Sequence, residues 1–234
     1  MMTGPAQYDF INIHDHDADQ RTGVFTIDNI MAHEDRYPKE APGIVYSCGA
    51  HPWGIEEGNL DEQIQRVRDY VSLSSVVAVG EAGFDHIRGA GDKLQEKAFS
   101  AQVEISEEHQ KPLFIHCVKA WDELLRMHKE HNPRMRWIVH GFRGKPELAG
   151  QLLDKGFYLS PWVEWAIRPE AAKTLKTIPP GRLFLETDGF DIAIEEVYRA
   201  VAGHLETDVE SLKKTVYSNY LEVFGSGSAS KDDD

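Results

Sequence analysis

The chemistry in this sequence is concentrated at the ends of a few apolar runs. INIHDHD carries His14 and His16, VAVGEAGFD carries Glu81, LFIHCV carries His116, WIVHGF carries His140 and LFLETDG carries Asp188. Each polar residue follows a short β-branched stretch of the kind that forms a buried strand. In a strand, side chains two apart share a face, so His14 and His16 point the same way. Four imidazoles and two carboxylates make six ligands, enough for two divalent ions sharing one carboxylate. Singly, each has an ordinary structural use: a histidine hydrogen-bonded at a strand end, or Asp188 capping the next helix. Glu81 is harder to place that way, because a carboxylate after VAVG needs a cation or strong donors. The joint occurrence carries the metal-site reading.

Such a set works only if the strands deliver it to one place. Strand-like runs cover 10–14, 25–30, 44–48, 76–79, 113–116, 137–140, 157–160 and 183–186, with helical periodicity between most of them. Leu60, Ile64, Val67 and Val71 fall on one helical face. Trp121, Leu124, Leu125 and His128 repeat the pattern, as do Val209, Leu212, Val216, Tyr220 and Val223, with Thr207 and Glu210 reading as a capping box. His140 follows His116 by 24 residues and Asp188 follows His140 by 48, the spacing of βα units. The expected fold is α/β, a single-domain, distorted (βα)8 TIM-type barrel over residues 1–225, with a flexible tail at 226–234. The connection 15–24 is too short for a helix, so the distortion belongs at the N-terminal side. In such a barrel the C-terminal strand ends meet at one mouth. A doubly wound open sheet is the structural alternative, but no G-x-G-x-x-G or P-loop supports a nucleotide version.

Composition narrows the class. In 234 residues, 41% are hydrophobic and 27% charged, ordinary for a globular domain. With 39 acidic and 25 basic residues the net charge is −14, which argues against gripping nucleic acid or an anionic membrane by bulk charge. A polyanionic substrate remains compatible if bound cations invert the local field. Two cysteines cannot form a disulfide framework, and Cys48 and Cys117 read as buried, inert thiols. With no apolar run of membrane length and no basic, apolar leader, the expectation is a cytoplasmic protein without an obligate protein partner.

A divalent cation lowers the pKa of bound water from about 15.7 toward about 7 and neutralises charge on a phosphoryl oxygen. Asp188 is then a proton acceptor, and His51 in GAHPW a partner for substrate or leaving group, unless it is a turn residue packed on Pro52 and Trp53. The order H-x-H, GAHPW, GEAGFD, FIHC, HGF, LETD and SNYLEVFG resembles the TatD family of metal-dependent hydrolases in the amidohydrolase superfamily, from about Asn12 to Gly225. Gln95, Phe99 and Gln102 add to the match. The resemblance implies a distorted barrel, a binuclear centre of zinc, manganese or magnesium, and phosphodiester hydrolysis, often as a deoxyribonuclease. It assigns His14, His16, Glu81, His116, His140 and Asp188 as ligands, Glu81 bridging the ions and Asp188 handling the proton of the attacking water.

Departures from the family pattern fall on the substrate side. Cys117 and Val118 stand where the family shows serine and arginine, and Gly189, Phe190 and Asp191 where it shows a small residue and proline. The basic role passes to Lys119 or to Arg143, which replaces a serine; a surface arginine is the plainer reading of the latter. Trp162 and Trp165 follow the seventh strand toward the mouth, whereas Trp121 reads as core. The expected substrate is a phosphodiester such as DNA. Two alternatives stand beside it: a small-molecule lactone, amide or ester hydrolysed on the same scaffold, and a metal-binding scaffold without catalysis.

Overall fold

The computed structural model describes residues 4–225; the tail expected at 226–234 lies outside them. Seven strands form one parallel sheet in chain order: β1 (Phe10–Asp15), β2 (Val24–Met31), β3 (Ile44–Gly49), β4 (Val76–Asp85), β5 (Leu113–Val118), β6 (Trp137–Phe142) and β7 (Tyr158–Pro161). Helices α1 (Leu60–Val71), α2 (Asp92–His109), α3 (Trp121–His131) and α4 (Pro146–Leu153) cover its outer face, followed by the short turns α5 (Val163–Ala166) and α6 (Ala172–Leu175) and the long helices α7 (Ile194–His204) and α8 (Val209–Phe224). No helix separates β1, β2 and β3, as the short connections require.

The eighth apolar run differs from expectation. It is not a regular strand, yet it spans the gap between β7 and β1. Phe184 N donates to Leu159 O at 2.9 Å, Ile13 N to Leu185 O at 3.0 Å and Asp188 N to His14 O at 3.0 Å. Side chains take the remaining ladder positions. The Tyr198 hydroxyl of α7 accepts from Ile11 N and donates to Ile11 O, at 3.2 and 3.0 Å. Asn12 Nδ2 donates to Thr187 Oγ1 at 2.6 Å while Thr187 N donates to Asn12 Oδ1 at 3.0 Å. The seam is therefore closed by side chains as well as backbone, which satisfies buried groups that could not be left unpaired.

Three of the four breaks in strand register fall where the chemistry is. β1 slips against β2 between Asn12 and Asp15, β4 against β5 between Val79 and Ala82, and β6 against β7 between Val139 and Phe142. These intervals contain His14, Glu81 and His140. Bulges re-aim side chains next to sites. Gly83 has φ +151°, and a Cβ there would overlap the carbonyl oxygen of His116. Its lack of a side chain lets β4 lie against the strand that carries His116.

α8 is capped by Asp208, whose carboxylate accepts from Ser211 N at 2.8 Å, and not by Thr207. Cys48 is buried, and burial pushes its thiol up to about 12. Cys117 is only half-buried and lines the mouth cavity, because β5 ends there and the chain turns at Lys119, φ +60°. Burial raises its thiol as well, so neither cysteine is a thiolate at neutral pH. Trp121 also lines the cavity, contrary to a pure core role.

Candidate metal centre

The mouth holds a cavity of about 800 Å³ with Glu81 on its floor. Glu81 is buried, and its two oxygens face different groups. Oε1 lies 2.5 Å from His14 Nε2 and 3.5 Å from both His16 Nε2 and His140 Nε2. Oε2 lies 2.9 Å from His51 Nε2 and 3.7 Å from His116 Nδ1. Asp188 Oδ1 completes the first group, 3.5 Å from His14 Nε2 and 3.5 Å from His16 Nε2. The six residues expected from the sequence are thus brought together, with His51 beside them. His14, Glu81, His140 and Asp188 form one cluster with metal-holding spacing, and His51, Glu81 and His116 form another.

The donors fit a divalent ion. Ligand atoms on a tetrahedral ion with bonds of about 2.05 Å stand about 3.3 Å apart, close to the repeated 3.5 Å separations here. Nδ1 of His14 and of His140 is buried without a hydrogen bond among the described residues, while their Nε2 atoms face the carboxylates of Glu81 and, for His14, Asp188. Imidazoles and carboxylates buried against one another in this way need shared protons or a cation between them.

Protein charge alone sets strong shifts. Burial opposes ionisation of Glu81, but His140, His14 and His51 outweigh it and hold the carboxyl well below the usual range. Burial opposes the charged form of His16, but hydrogen bonds to Asp188 and Glu81 outweigh it and raise the ring to about 9. His14 and His140 are raised in the same way, burial being overcome chiefly by Glu81. For Asp188, burial is outweighed by hydrogen bonds to His14 and His16, and its carboxyl is held below the usual range. His116 moves the other way: burial first, then the adjacent His51 ring, lowers it to about 4.

Asp85 and Glu186, which sequence reasoning did not single out, orient these groups. Asp85 Oδ2 accepts from Trp53 Nε1 at 2.7 Å and lies 3.3 Å from His116 Nε2, while its Oδ1 accepts from Ile87 N and Arg88 N at 2.7 and 2.9 Å. Glu186 Oε1 accepts from Gly141 N at 2.7 Å and stands 3.7 Å from His140 Nδ1. Burial pushes Glu186 up against the pull of His140. The visible signal was spacing: Asp85 lies four residues after Glu81 on β4, and Glu186 two residues before Asp188. On α2, Gln95 Oε1 accepts from Asp85 N at 2.7 Å and Gln102 Oε1 from Ala50 N at 2.8 Å, which pins the segments carrying Asp85 and His51.

His51 Nδ1 accepts from Trp53 N at 3.1 Å. A neutral ring so bonded carries its proton on Nε2, where it donates to Glu81. His51 therefore orients the central carboxylate, a more specific placement than a turn residue. Lys119, Arg143 and Trp162 all line the cavity, with Arg143 Cζ 4.5 Å from the centre of the Trp162 ring. Trp165 does not line it.

A parallel barrel with buried carboxylates and histidines at its C-terminal mouth defines the class of metal-dependent hydrolases. The family described as TatD related DNase matches residues 20–225, and the chain belongs to that family. It is 31% identical over 153 residues to the "Uncharacterized metal-dependent hydrolase YcfH" of Escherichia coli K12, covering 64% of this chain and 57% of that protein. It is 30% identical over 191 residues to the "3'-5' ssDNA/RNA exonuclease TatD" of Cronobacter turicensis, covering 74% and 72%. With several of the curated relatives it matches, including YcfH and a Buchnera hydrolase, the match spans less than three fifths of their length. Among solved structures, the TatD homologue YjjV of Escherichia coli K12 superposes with TM-score 0.73 at 20% identity, over 94% of this chain and 99% of that one. A TatD family hydrolase from Entamoeba histolytica gives 0.66 at 22%, over 78% and 75%. These structures share the fold. No helix among the described residues is long and apolar enough to cross a membrane.

Proposed function

We propose that this chain is a two-metal phosphodiesterase acting on single-stranded nucleic acid. The observation that carries the reading is Glu81, whose two oxygens face separate histidine groups under a cavity that also holds Lys119 and Arg143. His14, His16, His140 and Asp188 would hold one ion with Glu81 Oε1, and His116 a second with Oε2, with zinc and manganese suiting the donors best and magnesium admitted by the carboxylates. Bound ions would acidify a ligated water and neutralise charge gathering on a phosphoryl oxygen.

The chain's own groups supply the rest. Asp188, with a side chain 21% exposed, reaches from the cluster into the cavity and takes the proton of the attacking water. His51 and Asp85 keep Glu81 and His116 aimed. Arg143 and Lys119 bind the phosphates that flank the reacting one, a guanidinium being suited to bidentate contact. The family relation to a protein named as a 3'-5' ssDNA/RNA exonuclease supports the same substrate class.

The test is turnover of bis-p-nitrophenyl phosphate, single-stranded DNA and simple lactones, each with added manganese, zinc or magnesium. Cleavage of the phosphodiesters supports the proposal; turnover of lactones alone overturns it in favour of a small-molecule hydrolase. That second reading draws on the net charge of −14 and on Val118 standing where the family carries arginine.

A further inference from the structure

The rim of the cavity carries a pattern that metal chemistry does not use. Arg88 Cζ lies 5.3 Å from the centre of the Trp53 ring, and Arg143 Cζ 4.5 Å from that of Trp162. Trp53 is 47% exposed, and Phe190, 38% exposed, stands edge-on to Trp162 with ring centres 6.1 Å apart. Arg21, Arg36, Arg68, Arg126 and Arg134 each pair with a carboxylate. Arg88 and Arg143 instead lie against indole rings, and both line the cavity together with Lys119. Guanidinium groups on cavity-lining indoles suit a ligand that is both anionic and aromatic.

Topology sets the two pairs apart. Trp53 and Arg88 follow β3 and β4, whereas Arg143, Trp162 and Phe190 follow β6, β7 and the closing segment. In a sheet ordered β1 to β7 and closed by 183–188, these groups are about half a turn apart, with Glu81 on the floor between them. Trp53 is further fixed by its N–H donation to Asp85. Rigid aromatic faces on both sides of a reacting centre are what nucleobases stack on, and guanidinium planes serve the same purpose.

We propose that Arg88–Trp53 and Arg143–Trp162 are two nucleoside subsites flanking the reacting phosphate, so that the substrate is an unpaired strand with a base held on each side of the scissile bond. The proposal rests on the phosphodiesterase reading of the same mouth. A duplex is a poor occupant, because its base faces are already stacked on one another.

The experiment is equilibrium binding to the metal-replete protein by fluorescence anisotropy. The probes are a labelled tetrathymidylate with phosphorothioate linkages, which resist cleavage, and an abasic tetramer of equal charge. The wild type should prefer the base-bearing strand about tenfold or more. Trp53→Ala and Trp162→Ala should each shrink that preference roughly fivefold, the lower end of base–aromatic stacking, and Trp→Phe at either position should restore most of it. Equal binding of the two strands, a preference unchanged in both alanine variants, or equal competition by an equally charged duplex overturns the subsites. Cleavage of unmodified tetrathymidylate separates the two levels. Cleavage without a base preference in binding overturns the subsites alone, and no cleavage of any phosphodiester overturns the reaction as well.

Discussion

Asp85→Asn should weaken one metal position and spare the other. Asp85 Oδ1 accepts two backbone N–H groups, from Ile87 and Arg88, so the amide oxygen of an asparagine stays there and its NH2 takes the place of Oδ2. That NH2 would face Trp53 Nε1 and His116 Nε2, which now donate to Oδ2 across 2.7 and 3.3 Å. His116 is held near a pKa of about 4, by burial first, so at pH 7 it is neutral and its single proton must choose a nitrogen. Asp85 keeps that proton on Nε2 and leaves the Nδ1 lone pair facing Glu81. The substituted amide favours the opposite tautomer, with Nδ1 protonated and unable to ligate. Loss of a carboxylate that orients a ligating histidine typically costs 10- to 100-fold in metal affinity. Trp53 is half-exposed and can find water, so folding stability should fall by only about 1–3 kcal/mol. The assay is competition with a fluorescent zinc chelator at pH 7.5, resolved into two binding steps. One step should weaken 10- to 100-fold with the other within about threefold of wild type. Two unchanged steps would refute the tautomer argument, and equal loss of both would show general collapse instead.

Three further outcomes follow from the same geometry. Asp188→Asn should lower kcat on a phosphodiester roughly 10²- to 10⁴-fold at saturating metal, the range for a lost general base. Tyr198→Phe strips both seam hydrogen bonds from Ile11 and should cost about 1–3 kcal/mol, a Tm decrease of several degrees by calorimetry. In EDTA, the pairing of His16 with Asp188 and Glu81 stabilises the fold fully below pH 6.5 and is lost as pH rises through about 9, because the folded ring is raised from 6.5 to about 9. Saturating zinc has to displace those same protons, so the Tm difference between loaded and EDTA-treated protein should widen from pH 6.5 to 9, measured by scanning fluorimetry.

Strand ends were legible because a polar residue after a β-branched run is conspicuous, and that alone located His14, Glu81, His116, His140 and Asp188. The roles of Asp85 and Glu186 were not. Their spacing places them near Glu81 and Asp188, but whether a carboxylate holds a ligand, a backbone N–H or an ion depends on a residue from another element. The seam was hidden for the same reason: Tyr198 meets Ile11 across 187 residues, and no local pattern announces that a side chain will replace a strand's ladder. Cys117 alternates away from His116 in an ideal strand, yet the strand ends at the mouth and the turn at Lys119 exposes consecutive residues to the cavity. The cap of α8 fell to Asp208 over Thr207, one residue along, since both are good N-cap types and only the chain's entry angle separates them.

The proposed reaction depends on a binuclear centre bridged by Glu81. The decisive measurement is elemental analysis by mass spectrometry of wild type beside Glu81→Ala, after equilibration with manganese and zinc and removal of free ions. About two divalent ions per chain are expected in the wild type, and their loss in the variant. No stoichiometric metal in the wild type, or an unchanged content in Glu81→Ala, would contradict it.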